Sequence, residues 1–364
     1  MTDTYLIAPA RHRLHEPALL RRWQELLDAS SSPERIYQGP DYFDYALSHG
    51  MAGAELFTVS VRASGAIVGI VPVLVRAHSL DFDVGSRCLT SVAVPSVVLL
   101  GSVPLLPPDA ALWHQLCHFL LARYPACQAV SLTALPADGA WWPLPRTGLV
   151  RHVPHGWRAC HRTPLPVDYQ AVLAQLGSKR RYNLKRQLRL LEEQAGAPVL
   201  HRITQARQLP QLSAALATLA TPQQRRQWLS DASLQALAGH GLLRCHVLEC
   251  GGRSVALILA LCDGRVLHVN NILHDAALAQ LSPGTAILFL AIEDACQCGL
   301  HALDFGYGSP AHNYQSINQT QQRGHVLLLR ASLRNRCVSW AHRLWCAGVA
   351  WARRYRSARR ARPS

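Results

Sequence analysis

The chain has 364 residues, more than one ordinary hydrophobic core accommodates, and this length predicts two domains of roughly 150 residues each plus extensions. Hydrophobic residues make up 49% and charged residues 16% of the chain, a balance that excludes a globally disordered protein. The formal net charge of +15 favours anionic partners such as phosphates, nucleic acid or acidic lipid head groups.

The eleven cysteines are scattered without a C-x-x-C pair, so neither a disulfide framework nor a zinc ribbon is expected. The opening residues, MTDTYLIAPARHRLHE, lack the apolar run of a signal peptide. We expect no membrane-spanning helix, which requires about eighteen or more consecutive apolar residues, in the later part of the chain. We therefore expect a cytoplasmic protein, with a peripheral position at the inner membrane face as a further possibility.

The first half of the chain predicts a mixed α and β domain that ends near residue 160. Apolar positions at helical spacing predict a helix over Leu14–Ala29, and the alternation around Ser64-Gly65 predicts a β-hairpin. Strands over Cys88–Val94 and Ser96–Leu100 are then followed by a helix over Ala110–Arg123.

The second half begins with a predicted helix over Tyr169–Gln194 and continues with two shorter helices. Three strands follow, separated by Gly251-Gly252 and by Asp263-Gly264, which are strong hairpin signals. After them come a helix that begins at Ser282-Pro283 and a short strand, HALDFG. The chain therefore predicts an α/β (α+β) fold of two tandem domains, residues 1–160 and 161–330, with mostly antiparallel mixed sheets flanked by helices, and a basic segment over residues 331–364.

The turn Ser282-Pro283-Gly284-Thr285 stands where a strand gives way to a helix. A helix N-terminus offers unpaired N–H groups and the positive end of a dipole, which suit a pyrophosphate. Gly284 permits close approach of the backbone, and Ser282 or Thr285 is able to bond a phosphate oxygen. The alternative is that these residues form an ordinary helix start.

The succession of hairpin-linked strands, helix-opening turn and D-F-G-Y-G resembles the GCN5-related N-acetyltransferase (GNAT) superfamily, over roughly Leu173 to Arg323. Within it the chain resembles the CelD/BcsL-like branch and, more distantly, the FemAB aminoacyltransferases. The residues that match this pattern are Gly252, Ala256, His274, Asp275, Ser282, Pro283, Gly284, Gly299, Asp304, Gly306, Gly308 and Tyr314.

This resemblance implies two tandem acyl-CoA N-acyltransferase-like domains, of which residues 1–160 are degenerate and residues 161–330 are catalytic. It also implies a donor site for acyl-CoA within Leu242 to Gln315, and no permanently bound cofactor. The backbone of Val269, Asn270, Asn271 and Ile272 would accommodate the pantetheine arm, and a strand N–H would polarise the thioester oxygen. We expect Asp304 as the base or substrate anchor and Tyr314 as the acid. The further residues expected to line the cleft and contact the substrate are Asn271, His274 and Tyr307.

Two positions depart from the family pattern. The usual phosphate turn has the form Q/R-x-x-G-x-G/A, whereas Gln280 is here followed by Leu281, Ser282, Pro283 and Gly284. A lysine commonly follows the tyrosine in this branch, and Gln315 occupies that place. Both departures favour an alternative in which the chain is a non-catalytic accessory protein of envelope or exopolysaccharide assembly.

Arginines and lysines form a row on the predicted helix of the sequence SKRRYNLKRQLRLLEE. Arg181, Lys185 and Arg189 lie next to a leucine stripe. The resemblance implies that this row faces the cleft, where Arg181 and Lys185 would bind an acidic acceptor or the phosphates of the donor. The alternative is a solvated charged face.

The C-terminal segment contains ten arginines and no acidic residue from Arg330 onward. Its apolar stripe includes Leu333, Trp340, Leu344, Ala347, Trp351 and Tyr355. Such a helix either packs on the protein core or lies on an anionic membrane. We expect packing on the core, with disorder from Arg353 to Ser364.

Other functional classes have weaker support in the sequence. His114 and His118 have a helical spacing that suits a metal, but no further ligand accompanies them, so no metal is expected. No G-x-S-x-G elbow supports a hydrolase, and no recognisable module supports specific binding of nucleic acid. The predicted function is transfer of an acyl group from acyl-CoA to an amine or hydroxyl acceptor, suggested to be a cell-envelope or polysaccharide precursor. The alternative is a FemAB-like transferase that uses aminoacyl-tRNA.

Overall fold

The computed structural model describes residues 5–49, 51, 53–85, 87–227, 230–307 and 317–360. The chain forms two compact units: the first comprises Met1–Arg158 and Gln322–Ser364, and the second comprises Ala159–Gln321. These units differ from the sequence-based boundaries at 160 and 330 mainly on the C-terminal side. The reason is that residues after 321 complete the sheet of the first unit, which their place in the chain does not reveal.

The first unit is built on a mixed sheet, with strands numbered along the whole chain. The strands are β1 (Tyr5–Pro9), β2 (Glu55–Val61), β3 (Ile67–Val84), β4 (Arg87–Leu99), β5 (Ala129–Pro136), β6 (Val150–His152) and β13 (Gln319–Leu329). They follow the order β1-β2-β3-β4-β5-β13, and β6 also pairs with β13. Neighbours are antiparallel except β4 and β5, which are parallel. The predicted hairpin at Ser64-Gly65 is confirmed as the turn between β2 and β3.

Helices of the first unit bury apolar side chains against its sheet. They are α1 (Pro17–Ala29), α2 (Pro40–Ser48), α3 (Ala110–Arg123) and α10 (Leu333–Arg360). The helix predicted over Ala110–Arg123 is confirmed, and it begins where the Asp109 side chain accepts hydrogen bonds from the N–H groups of Ala111 and Leu112. Its buried face includes Trp113 and Leu116.

The second unit also contains a six-stranded mixed sheet. Its strands are β7 (Arg158–Pro164), β8 (Pro198–Ile203), β9 (Cys245–Cys250), β10 (Arg253–Cys262), β11 (Val266–His274) and β12 (Ala302–Asp304). Their order is β8-β9-β10-β11-β12-β7. Its helices are α4 (Tyr169–Ala174), α5 (Ser178–Ala195), α6 (Leu209–Leu219), α7 (Pro222–Gln227), α8 (Asp231–Gly239) and α9 (Pro283–Gln297).

Both units show the same succession of pairings. In each, four strands pair antiparallel in turn, a helix follows, a fifth strand pairs parallel to the fourth, and a sixth pairs antiparallel to the fifth. The fourth and fifth strands are β4 and β5 around α3, and β11 and β12 around α9. The prediction of an α/β fold with two tandem domains of one kind is therefore confirmed.

Helix α9 is deeply buried in the second unit. Its buried side chains include Ile287, Phe289, Ala291 and Ala295, which lie on more than one side of the helix and belong to the apolar core of the second unit. An apolar helix of this kind is held by burial on more than one side. The position of its N-terminus is therefore fixed by packing of the whole helix rather than by the opening turn alone.

Two sequence-based element boundaries were wrong. The single helix predicted over Tyr169–Gln194 is two helices, α4 and α5, with Gly177 in extended backbone between them. The strands predicted over Cys88–Val94 and Ser96–Leu100 are one strand, β4. Pro95 does not end it because β5 begins only opposite Ser96, so the missing N–H removes no interior ladder bond.

Helix α10 packs on the first unit with the face opposite its aromatic stripe. The Trp345 indole N–H donates to the carbonyl of Asp83 at 3.2 Å, and His342 Nε2 lies 3.3 Å from the carbonyl of Asp81. Trp340 and Trp351 remain 66% and 69% exposed. The helix therefore packs on the first unit, as expected, but through the face opposite the stripe, because polar partners on that face hold it. The helix also continues to Arg360, past the predicted start of disorder.

We predict that acid weakens the packing of α10. Burial and neighbouring cations lower the pKa of His152 to about 3 and also lower the pKa of His342. Both side chains are buried and lie 3.2 Å apart, between His152 Nε2 and His342 Nδ1. Because the folded pKa is depressed, the stabilisation is present above the unfolded pKa of about 6.5 and declines as the pH falls below it. The charged and titratable groups around them are His78, Asp81, Asp83, His155 and Arg343.

Hydrogen exchange of the α10 amides, corrected for intrinsic rates, tests this prediction between pH 8 and pH 5. We expect protection to fall toward pH 5, and a His152→Phe variant, which removes one buried titrating group, to lose part of that dependence. Protection that is unchanged over this range would contradict the prediction.

In the described residues, no helix combines the length and apolar character needed to cross a bilayer.

Candidate functional site

A β-bulge interrupts the pairing of β10 and β11 in the second unit. Leu259 pairs with Asn271 and Ala260 pairs with Val269, so Asn270 is the extra residue. The side chain of Val269 is buried while that of Asn270 is exposed. Bulges redirect a strand and are enriched next to active sites. The bulge therefore marks the point where β11 changes direction.

The same strand loses its other neighbour just before the bulge. Strand β12 pairs in parallel with β11 only from Val266 to His268, and its last paired residue is Asp304. Beyond His268, the described residues contribute no further strand to this edge of β11. The alternate peptide N–H and C=O groups over Val269–His274 that point away from β10 are therefore placed to pair with an extended ligand, as an added strand would.

The turn that opens α9 has an uncommon backbone conformation. Ser282 lies in the left-handed region, with φ 55° and ψ 50°, and its side chain caps no helical N–H. The N–H groups of Thr285 and Ala286 both donate to the carbonyl of Ser282, at 3.0 and 3.1 Å. Among the described residues, the Gly284 N–H has no such intramolecular acceptor. Fewer amides are thus open to an anion than the sequence suggested, and Gly284 provides the main one.

The end of β11 and the start of α9 lie side by side. A Cβ atom added to Gly284 would meet His274 Nδ1 at 3.3 Å and Ile272 Cγ2 at 3.9 Å. His274 itself is exposed. The structure therefore brings together the predicted strand residues and the predicted phosphate turn, which are separated in sequence by the 3-10 segment Ala276–Leu281.

Helix α5 contributes a residue that the sequence interpretation missed. The side-chain amide of Gln187 donates to the hydroxyl of Ser282 at 3.2 Å. Asn183 lies one turn earlier on the same helical face and is exposed. The sequence does not indicate that Gln187 contacts the turn, because only the packing of α5 shows which of its faces meets α9.

Asp304 ends β12 and is 3% exposed. Its carboxylate accepts the N–H of Gly306 at 2.7 Å, and Gly306 has a φ of 52°. This is the geometry of a cap at the strand end. Tyr307 follows and is half-buried. Tyr314 and Gln315 lie outside the described residues.

The basic row on α5 divides into two kinds of residue. The guanidinium of Arg181 donates to the carbonyls of Leu176 at 2.9 Å and Ala174 at 3.2 Å, which end α4. Lys185 is exposed. Arg181 therefore has a structural role as a C-terminal cap of α4. Of the two residues predicted to bind the acceptor or the donor phosphates, Arg181 and Lys185, only Lys185 is exposed to solvent without such a role.

A partly buried charge cluster, also missed from the sequence, connects α9 to β9. The carboxylate of Asp294 bonds the guanidinium of Arg244 at 2.7 Å and Nε2 of His246 at 2.9 Å. Arg202 of β8 adds a third contact at 3.0 Å. Burial opposes the charge of Asp294, but the hydrogen bonds of His246 and Arg244 outweigh it and lower the pKa to about 2. This cluster positions the helix whose N-terminus forms the site.

A group of potential metal ligands lies in the first unit, apart from these residues. The ligand atoms of His155, His342 and Cys346 all lie within 4.8 Å of one another. His114 and His118, weighed as a pair from the sequence, are in contact as rings with centroids 4.3 Å apart. His118 Nε2 lies 2.9 Å from the carbonyl of Thr147, so this histidine has a structural partner.

Comparison with protein families identifies the class of the second unit. Residues 178–316 match the model of the acetyltransferase (GNAT) domain. This part of the chain, somewhat more than a third of its length, is therefore similar to GNAT-type acetyltransferase domains. The CelD/BcsL-like branch is a finer assignment, which this match does not address.

Solved structures show the same fold over most of the chain. FemX is 8% identical, with a TM-score of 0.59 over 88% of this chain and 98% of its own. A tandem GNAT protein from the clavulanic acid biosynthesis pathway is 13% identical, with a TM-score of 0.51 over 89% of this chain and 98% of its own. The C-terminal domain of a putative lysylphosphatidylglycerol synthetase from Agrobacterium fabrum is 10% identical, with a TM-score of 0.50 over 86% of this chain and 92% of its own. At these identities the likeness concerns the fold. No curated protein sequence matches the chain significantly.

Proposed function

We propose that the second unit transfers an acyl group from acyl-CoA to an amine or hydroxyl acceptor. One observation carries this proposal. After His268, no described strand pairs with this edge of β11, and the edge lies next to the start of α9, where no side chain caps the helix. The match of residues 178–316 to the GNAT domain supports it independently. The finer assignment to the CelD/BcsL-like branch belongs to the same proposal.

In this proposal the donor binds along both elements. The diphosphate lies at the N-terminus of α9, where the Gly284 N–H and the helix dipole favour negative charge. The hydroxyls of Ser282 and Thr285 are the further donors at this end. The amides of the pantetheine arm pair with the β11 backbone from Val269 to Ile272.

The reaction is direct attack by the acceptor on the thioester. The nucleophile forms a bond to the thioester carbon, a strand N–H stabilises the oxyanion, and the C–S bond then breaks to release CoA thiolate. A base removes the proton of the nucleophile and an acid protonates the thiolate. We assign the base or anchoring role to Asp304 and the acid to Tyr314. The hydrogen bond from the Gly306 N–H holds the Asp304 carboxylate in a fixed position.

The acceptor is proposed to be a cell-envelope or polysaccharide precursor, the class that the resemblance implies. Lys185, His274 and Tyr307 are the proposed contacts, with Arg181 as a further one that would have to leave the carbonyls of α4. Peripheral contact with an anionic membrane through α10 would place the enzyme near an envelope precursor.

Isothermal titration tests the donor. We expect acetyl-CoA or a longer acyl-CoA to bind the full chain, and desulfo-CoA analogues to retain binding because the diphosphate and pantetheine carry the contacts. Binding of none of these thioesters, together with tight binding of charged tRNA at physiological salt, would favour the aminoacyl-tRNA alternative. Binding of neither class would favour the accessory role.

We predict that Tyr314→Phe lowers kcat by about 100-fold or more while KM for acyl-CoA stays nearly constant. The reason is that loss of a general acid affects the transition state and not the binding of the donor, and such groups contribute roughly 10²- to 10⁴-fold. The measurement is steady-state release of CoA thiol with an accepted substrate. Tyr182→Phe, at an exposed tyrosine of α5, is the matched control. Equal loss in both variants would remove Tyr314 from the mechanism.

A further inference from the structure

The outward face of α10 carries a continuous row of large apolar side chains. Its members are Leu333 at 79%, Trp340 at 66%, Leu344 at 52%, Trp351 at 69% and Tyr355 at 50% exposure. The rings of Trp351 and Tyr355 stack with centroids 5.6 Å apart. Soluble proteins seldom expose connected apolar surface of this extent without a partner.

Positive charge accompanies this row. Helix α10 contains eight arginines and no acidic residue. On a helical wheel, Arg336, Arg343 and Arg354 lie within about 60° of Trp340, along one side of the row. All three are exposed. Tryptophan beside arginine on an amphipathic helix is the combination that suits the head-group region of an anionic bilayer.

An apolar groove adjoins the row. It has a volume of about 660 Å³ and lies between the tip of the β3–β4 hairpin and α10. The hairpin contributes Phe82, Val84 and Gly85, and the helix contributes residues that include Trp345 and Val349. None of the lining residues is charged. Beside the groove, Leu89 of β4 is 61% exposed, so the apolar surface extends onto the hairpin.

We propose that this face is a binding site for an anionic phospholipid in a membrane surface. Arg336 and Arg354 contact the lipid phosphate, while Arg343 donates to the Arg151 carbonyl and to His152 and contributes only its charge. Trp340 and Trp351 enter the head-group layer, and one acyl chain occupies the groove. A second copy of the chain is a poorer occupant, because it would oppose eight arginines of one helix to eight of another. The proposal is independent of the donor site, since all of these residues belong to the first unit.

Vesicle flotation of the full chain tests the surface. We expect binding to phosphatidylcholine vesicles that contain phosphatidylglycerol, weak binding to phosphatidylcholine alone, and release by high salt. Trp340→Ser with Trp351→Ser should weaken binding at least about 10-fold, and Arg336→Gln about 5-fold, as expected for loss of buried apolar area and of one surface cation. Val167→Ser, at a residue 94% exposed in the second unit, is the matched control and should bind normally.

A second arm tests the groove. Gly348 lines it, and a Cβ atom there would meet nothing within 4 Å, so Gly348→Phe fills the groove without straining the helix. We expect the parent chain to bind dioctanoyl phosphatidylglycerol and not glycerol 3-phosphate, and Gly348→Phe to lose at least about 10-fold in affinity for the former. Binding of glycerol 3-phosphate alone would show a simple phosphate site and overturn the proposal. Vesicle binding that is unaffected by the double tryptophan change, or no binding to anionic vesicles, would also overturn it. Acetyl-CoA titration of the same variants should be unchanged, which separates failure here from failure of the donor site.

Discussion

Replacing Gly284 by valine is expected to weaken binding of acetyl-CoA by on the order of 10- to 100-fold, because a charge-assisted hydrogen bond contributes about 1.5–3 kcal/mol. The added Cβ would lie 3.3 Å from His274 Nδ1, and its methyl groups would extend into the space through which a diphosphate approaches the Gly284 N–H. The effect should appear in the dissociation constant measured by isothermal titration.

A second glycine of the same unit provides the control for Gly284→Val. Gly239 ends α8, and a Cβ atom there would meet nothing within 4 Å. Gly239→Val should therefore bind acetyl-CoA as the parent does. Both variants should keep a cooperative thermal transition. Unchanged affinity in Gly284→Val would show that the anion does not bind at the start of α9.

The charge cluster on α9 should have the largest effect on stability. Asp294→Ala removes the partner of Arg244 and His246 and leaves their polar groups buried without it. Loss of one member of a buried pair typically costs about 3–5 kcal/mol of the free energy of unfolding. Because the side chain of Asp294 is 16% exposed and that of Arg202 is 45% exposed, we expect a value of about 3 kcal/mol, at the lower end of that range. Urea unfolding of the parent and the variant measures it.

The adjacent carboxylate gives the matched control. Glu293→Gln changes a partly buried acid on the same helix that does not belong to the cluster, and surface-type substitutions usually stay within about 0.5 kcal/mol. If Asp294→Ala is no less stable than Glu293→Gln, the cluster does not hold α9 in place.

The pH dependence of the free energy of unfolding provides an independent test of the role of Asp294. Its folded pKa, about 2, lies below the unfolded value of about 3.9. The stabilisation is therefore fully present above the unfolded pKa and is lost as the pH falls from about 4 through 2. The parent should lose more stability than Asp294→Ala in this window.

The sequence was sufficient for several elements whose signals are local, although it did not separate α4 from α5 or join the two halves of β4. The hairpin at Ser64-Gly65 and the helix Ala110–Arg123 were predicted because turn residues and caps act within a few residues of where they stand. The turn before α9 was predicted for the same reason, since Ser282-Pro283 is a local helix-start signal. These features depend on interactions between close neighbours in the chain.

The sequence could not show how the candidate site is assembled. The bulge at Asn270 depends on the register of β11 against β10, and the contact of Gln187 with Ser282 depends on which face of α5 meets α9. The engagement of Thr285 with the Ser282 carbonyl, which leaves Gly284 as the main open amide, follows from the left-handed backbone at Ser282. The bulge and the Gln187 contact require pairings between residues that are not close neighbours in the chain, and no residue type in the turn indicates the left-handed backbone at Ser282.

The sequence by itself determined an α/β protein of two tandem units, a candidate phosphate turn, and a basic C-terminal helix with an aromatic stripe, because hydrophobic period, turn residues and charge are local properties. Only the tertiary structure decided that β13 and α10 belong to the first unit, and that the face opposite the stripe packs on it. The physical reason is that strand pairing and the burial of polar groups such as His342 depend on partners more than a hundred residues away.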